Sequence, residues 1–77
     1  MDIFHVNPNI IGEATLKLTD IEKVRSFIRK IQFIEKTYKV PFKRYFFCYT
    51  IYDNIKEEAK LLFNKYDIEL IIPETTD

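Results

Sequence analysis

In a chain of 77 residues few side chains are suited to chemistry, and two carboxylates come first. Asp2 opens an alternating segment that runs to Val6, and Glu13 lies midway along a second one, Ile10 to Leu18. Asn7-Pro8-Asn9 between them is a turn signal. A hairpin turning there pairs position 2 with position 13 or 14, which brings the two acids to neighbouring places. Two such oxygen ligands, with waters and a phosphate oxygen, can hold Mg²⁺ or Mn²⁺.

Other chemistries find little support. His5 is the only histidine and Cys48 the only cysteine, so neither a zinc cluster nor an internal disulfide can be assembled. Cys48 falls in the most apolar segment and reads as an inert core thiol. Ser26 lies within a helical pattern, not in a nucleophile elbow. Gly12 is the only glycine, which excludes a phosphate-cradling loop. Phe42, Tyr45, Phe46, Phe47 and Tyr49 have the rings to stack bases, but their place in an apolar strand favours core packing.

The elements that position these residues follow from periodicity. In the second strand Ile10, Gly12, Ala14, Leu16 and Leu18 form an apolar face, and Glu13, Thr15 and Lys17 share the other. Thr19-Asp20-Ile21-Glu22 has the form of a capping box and starts a helix. Ile21, Val24, Ile28, Ile31 and Ile34, with Phe27 and Tyr38 beside them, make its apolar stripe. That helix ends before Pro41. Tyr45 to Ile51 reads as a strand buried on both faces. Asp53 or Asn54 caps a second helix with Ile55, Ala59, Leu62 and Tyr66 inward, and Ile68 to Ile72 is a last strand. Residues 73–77 read as a flexible tail. The expected fold is one domain over 1–77: a small α/β protein with a mixed sheet, in the order β-β-α-β-α-β, its later β-α-β unit a parallel crossover.

Composition bounds the partners. Twelve basic residues balance twelve acidic ones. Along the chain they segregate: residues 17–44 hold nine basic groups against three acids, a net of +6. Lys23, Arg25, Arg29 and Lys30 in that stretch are the candidate contacts for DNA or RNA phosphate. No segment is long and apolar enough to cross a membrane, and no secretory leader opens the chain, so a cytoplasmic setting is expected. Seven Phe and five Tyr are hard to hide in a domain this small, which points to a homo-oligomer, a dimer or higher.

An Asp on one strand, a turn, Ile10-Ile11-Gly12-Glu13-Ala14-Thr15 on the next, a helix rich in Lys and Arg, then strand, helix and strand: this succession resembles the PD-(D/E)XK nuclease superfamily. The resemblance spans nearly the whole chain and implies a restriction-endonuclease-like core. It makes Asp2 and Glu13 the metal ligands. The family's lysine, which orients the attacking water, falls at position 15, where this chain has Thr15. Lys17 projects from the same face about 6–7 Å further along the strand and is the candidate replacement. The family core usually opens with a helix and a strand ahead of the Asp, and without them a second subunit is expected to cover the exposed apolar surface. The implied function is a degenerate, self-associating nuclease-like domain that contacts nucleic acid without cleaving it. The alternatives are an interaction protein with no nucleic acid role, and an active Mg²⁺- or Mn²⁺-dependent nuclease using Asp2, Glu13 and Lys17.

Overall fold

The computed structural model of the chain describes the strand path of residues 2–6 and, with their side chains, residues 9–73. The turn at Asn7-Pro8, the side chains of Asp2 and His5, and the tail from Glu74 lie outside the described residues. Six elements follow one another: β1 (Asp2–Val6), β2 (Asn9–Leu18), α1 (Ile21–Tyr38), β3 (Lys43–Ile51), α2 (Asp53–Lys65) and β4 (Glu69–Ile71). The strands form one sheet in the order β1-β2-β3-β4. β1 runs antiparallel to β2, while β2, β3 and β4 are mutually parallel. Each parallel step is bridged by a helix, as parallel neighbours require. α1 packs on β2, α2 on β4, and the helices touch each other, so both cover one face of the sheet.

Local chemistry sets the helix limits. Asp20, not Thr19, caps α1: its backbone is extended and its carboxylate accepts the Glu22 N–H at 2.9 Å. α1 stops at Lys39, which takes the left-handed conformation (φ 59°) and sends its N–H back to the Glu35 carbonyl. Tyr52, rather than Asp53 or Asn54, occupies the N-cap of α2, and no side chain caps that helix. β4, Glu69–Ile71, is shorter than the expected Ile68 to Ile72: the Ile68 N–H donates to the Phe63 carbonyl at 2.8 Å and so belongs to the end of α2.

The core lies between the helices and the covered face of the sheet. Val24, Phe27, Ile28 and Ile31 of α1 and Ile55, Ala59 and Phe63 of α2 meet Ile11, Phe46 and Cys48 of the strands. Phe46 is fully buried at the centre, its ring 5.7 Å from Phe27 and 5.2 Å from Phe63, so one side chain touches both helices. A second fastening lies at the far end of α1. Glu35 accepts hydrogen bonds from the Phe42 N–H at 2.9 Å and from the Arg44 guanidinium at 2.7 and 3.3 Å. Arg44 also donates to the Tyr66 carbonyl, which ties the end of α1, the start of β3 and the end of α2 together.

Two face assignments are corrected. Register places Ile11, Glu13 and Thr15 beside Arg44, Phe46 and Cys48, and this is the set beneath the helices. The apolar set Ile10, Gly12, Ala14 and Leu16 lies on the uncovered face, where Leu16 is 72% exposed. Leu18 departs from its set: it closes the ladder opposite Ile51, and both are buried in the core. β3 is likewise buried on one face only: Tyr45 and Phe47 are half-buried and Tyr49 is 51% exposed.

Phe46→Ala empties the contact point of both helices and is expected to cost about 3–5 kcal/mol in urea unfolding. Leu61→Ala, on the exposed side of α2, is expected to stay within about 0.5 kcal/mol of wild type.

Candidate functional site

Asp2 and Glu13 are direct partners in the β1–β2 register, as the hairpin reading anticipated. Glu13 also pairs with Phe46 of β3, so it sits in the interior of the sheet beneath α1. It is 4% exposed, the one buried ionisable residue among the described residues apart from Cys48.

α1 supplies its counter-charges. Lys23 Nζ lies 3.2 Å from Glu13 Oε2, and Lys30 Nζ lies 3.3 Å from Oε1. The two lysines are seven residues apart, nearly two full turns, and stand about 10 Å apart along the helix axis on one side. Their ammonium groups therefore close on the carboxylate from two directions, one to each oxygen. Their stems cross the half-apolar flank of α1 and their heads remain partly in water. A buried carboxylate without such partners would be strongly unfavourable. This contact thus explains how an acid is tolerated in the core-facing set of β2.

The remaining candidates are distributed differently. Thr15 shares the face of Glu13, and its hydroxyl donates to the Lys17 carbonyl at 3.3 Å. Lys17 itself is exposed toward the end of β2, and the ammonium groups recorded on Glu13 are those of Lys23 and Lys30. Arg25 pairs with Glu58 of α2 at 2.7 Å, and Arg29 pairs with Glu22, about two turns earlier on the same face of α1, at 2.6 Å. All four proposed phosphate contacts of α1 therefore already face a carboxylate. Cys48 is buried, and desolvation raises its thiol pKa above the ordinary value, so the neutral thiol is favoured as expected of a core cysteine. Among the described residues no group of three His, Cys, Asp or Glu gathers as a metal site. No helix there is long and apolar enough to cross a membrane.

Sequence reading found Glu13 but missed its partners. The available signal was two lysines at a spacing of seven on the edge of an amphipathic stripe, a pattern ordinarily assigned to a solvated face. Compared with family models, with curated proteins and with solved structures, the chain matches none.

The ion cluster predicts an asymmetry between its members. The double variant Lys23→Met, Lys30→Met strands a charge in the core and is expected to cost about 3–5 kcal/mol. Glu13→Gln leaves two lysines free to turn toward water and is expected to cost about 1–2 kcal/mol. Adding Glu13→Gln to the double variant removes the stranded charge and is expected to restore part of the loss; urea unfolding of the four proteins measures the cycle.

Proposed function

We propose that this chain is a degenerate PD-(D/E)XK domain, a restriction-endonuclease-like core that has kept the hairpin and the parallel strands but does not cleave. The observation that carries this reading is the state of Glu13: both carboxylate oxygens are engaged by lysines, at 3.2 and 3.3 Å. A divalent cation reaching Glu13 would have to displace two positive charges from it, which opposes binding. Thr15 at the position of the family's lysine supports the same reading, since a hydroxyl cannot supply the charge that stabilises the attacked phosphate. Were a Mg²⁺ or Mn²⁺ ion to bind, Asp2 and Glu13 would be its ligands, adjacent in register.

Contact with DNA or RNA through Lys23, Arg25, Arg29 and Lys30 belongs to the same proposal. Each of these side chains exchanges a carboxylate for a phosphate on binding, so the interaction is weak and falls steeply with salt. A role with no nucleic acid partner is its limiting form. We place the protein in the reducing cytoplasm, where a buried free Cys48 is unthreatened.

A second reading, an active nuclease, gains one observation: α1 brings two lysines to Glu13 where β2 offers Thr15. In that case Lys23 or Lys30, rather than Lys17, would take the part of the family's lysine.

Calorimetric titration of Mn²⁺ into wild type and Glu13→Ala separates the two. No saturable binding to either protein, with single- and double-stranded DNA and RNA left intact, is expected. Saturable binding to wild type that disappears in Glu13→Ala, together with cleavage lost in Lys30→Met, would establish the active nuclease instead.

A further inference from the structure

Five of the nine basic residues between positions 17 and 44 hold an acid: Lys23, Arg25, Arg29, Lys30 and Arg44. The other four, Lys17, Lys36, Lys39 and Lys43, meet no carboxylate among the described residues. Lys17 stands near the end of β2, in register with Thr50 of β3. The remaining three gather at the opposite end of the parallel strands, where α1 stops and β3 begins.

The chain fixes that corner. Lys36 lies in the last turn of α1, Lys39 is its C-cap, and Lys43 opens β3. Glu35 accepts the Phe42 N–H at 2.9 Å and the Arg44 guanidinium at 2.7 Å, which fastens the helix end to the strand start. Glu35 and Arg44 neutralise each other in that contact and leave the three exposed lysines as the excess charge of the corner. Cations at the end of a helix complement its dipole, which accounts for Lys36 and Lys39 but not for Lys43.

Rings accompany the charges. Tyr38, between Lys36 and Lys39, is 45% exposed, and its ring meets the buried Phe42 edge to face at 6.1 Å. Beside Lys43 a cavity of about 700 Å³ opens at the starts of β2, β3 and β4. Its walls include Asn9, Phe42 and Tyr45, with Asp67 and Glu69 along the β4 edge. A volume of this order suits a small planar group. Tyr45 offers it a ring, and Asn9 an amide that both donates and accepts. Cations set beside exposed rings match single-stranded nucleic acid, whose phosphates take the lysines and whose unstacked bases take the rings. A duplex keeps its bases stacked and gains nothing from ring or cavity. Asp67 and Glu69 repel phosphate, which directs the backbone along α1 and away from β4.

We propose that single-stranded nucleic acid binds at this corner, its phosphates on Lys36, Lys39 and Lys43 and its bases against Tyr38 and in the cavity beside Tyr45. The inference rests on the nucleic-acid reading above and names the surface that makes the contact without first giving up an acid.

Fluorescence anisotropy with labelled oligothymidylate and oligouridylate, each of about 16 nucleotides, tests it on the full chain without metal. Both are expected to bind, and affinity is expected to fall roughly 20-fold between about 50 and 200 mM salt, as three phosphate contacts to a single strand imply. Lys36→Gln, Lys39→Gln and Lys43→Gln together are expected to weaken binding ~10-fold or more at low salt and to flatten the salt dependence. Tyr38→Leu is expected to weaken it ~10-fold with the salt dependence kept. Lys56→Gln with Lys60→Gln, a loss of exposed charge on α2, is expected to bind like wild type. All of these side chains are exposed, so the helical circular dichroism of each variant is expected to match wild type. Wild type that binds neither oligonucleotide up to about 100 µM protein would overturn this proposal together with the nucleic-acid reading. Binding that the triple lysine variant leaves unchanged would overturn this proposal alone, and its loss in Arg25→Gln with Arg29→Gln would then return the contact to the middle of α1.

Discussion

A single carboxylate in the interior of the sheet constrains most of this fold. A carboxylate buried under a helix is tolerated when compensating charge arrives with that helix. Lys23 and Lys30 provide it, and in doing so they fix the rotation of α1 about its own axis. The same rotation turns Val24, Phe27, Ile28 and Ile31 inward onto Phe46. Hydrophobic packing alone leaves a helix some freedom to roll by part of a turn, because aliphatic side chains of similar size can substitute for one another. The two lysines on one carboxylate, Lys30 by a hydrogen bond and Lys23 as an ion pair, favour one rotation over the others. The Glu35–Arg44 pair acts in the same way at the opposite end, where the guanidinium also reaches the last turn of α2 through the Tyr66 carbonyl.

The order of the elements was legible because each carries its own period. Alternation marks β1 and β2, and the recurrence of Ile and Val at three- and four-residue steps marks α1. The stripe Ile55, Ala59, Leu62 and Tyr66 marks α2, although Phe63, not Leu62 or Tyr66, is the residue fully buried beside Ile55 and Ala59. What the sequence did not disclose is which face of β2 the helices cover. Both faces carry apolar residues, and the set with more of them, Ile10 to Leu16, is the one left open. The set containing Glu13 is covered because register with β3 aligns it with Phe46 and Cys48. That alignment is a long-range property and has no trace in the periodicity of either strand. Cap positions show the same limit at smaller scale: Thr19 and Asp20 are both good caps, and only the backbone geometry selects Asp20.

The candidate site was half legible for a related reason. Register between Asp2 and Glu13 depends on a short local turn, so counting residues sufficed. The contacts of Glu13 with Lys23 and Lys30 join a strand to a helix in different layers, and no spacing rule within one element reaches across layers. The basic charge of residues 17–44, conspicuous when counted along the chain, is spent largely inside the molecule. Lys23 and Lys30 neutralise a buried acid, Arg44 holds Glu35, and Arg25 bridges to α2. A charge run in a sequence is thus a poor guide to an electrostatic surface when each member has an acid within reach in the fold.

The parallel pairing of β2 with β3 has a consequence for how the chain reaches this state. Ile10 meets Lys43 and Leu18 meets Ile51, so every bridged pair is separated by the same 33 positions. No hydrogen bond of that ladder can form until the intervening segment has looped back on itself, in contrast to the β1–β2 hairpin, which closes locally. Assembly is therefore governed by a large loop closure that α1 shortens as it winds, since 18 helical residues span far less distance than an extended chain. A long separation of this kind makes the β2–β3 ladder the entropically costly step of the fold, beside which the three residues of β4 add little.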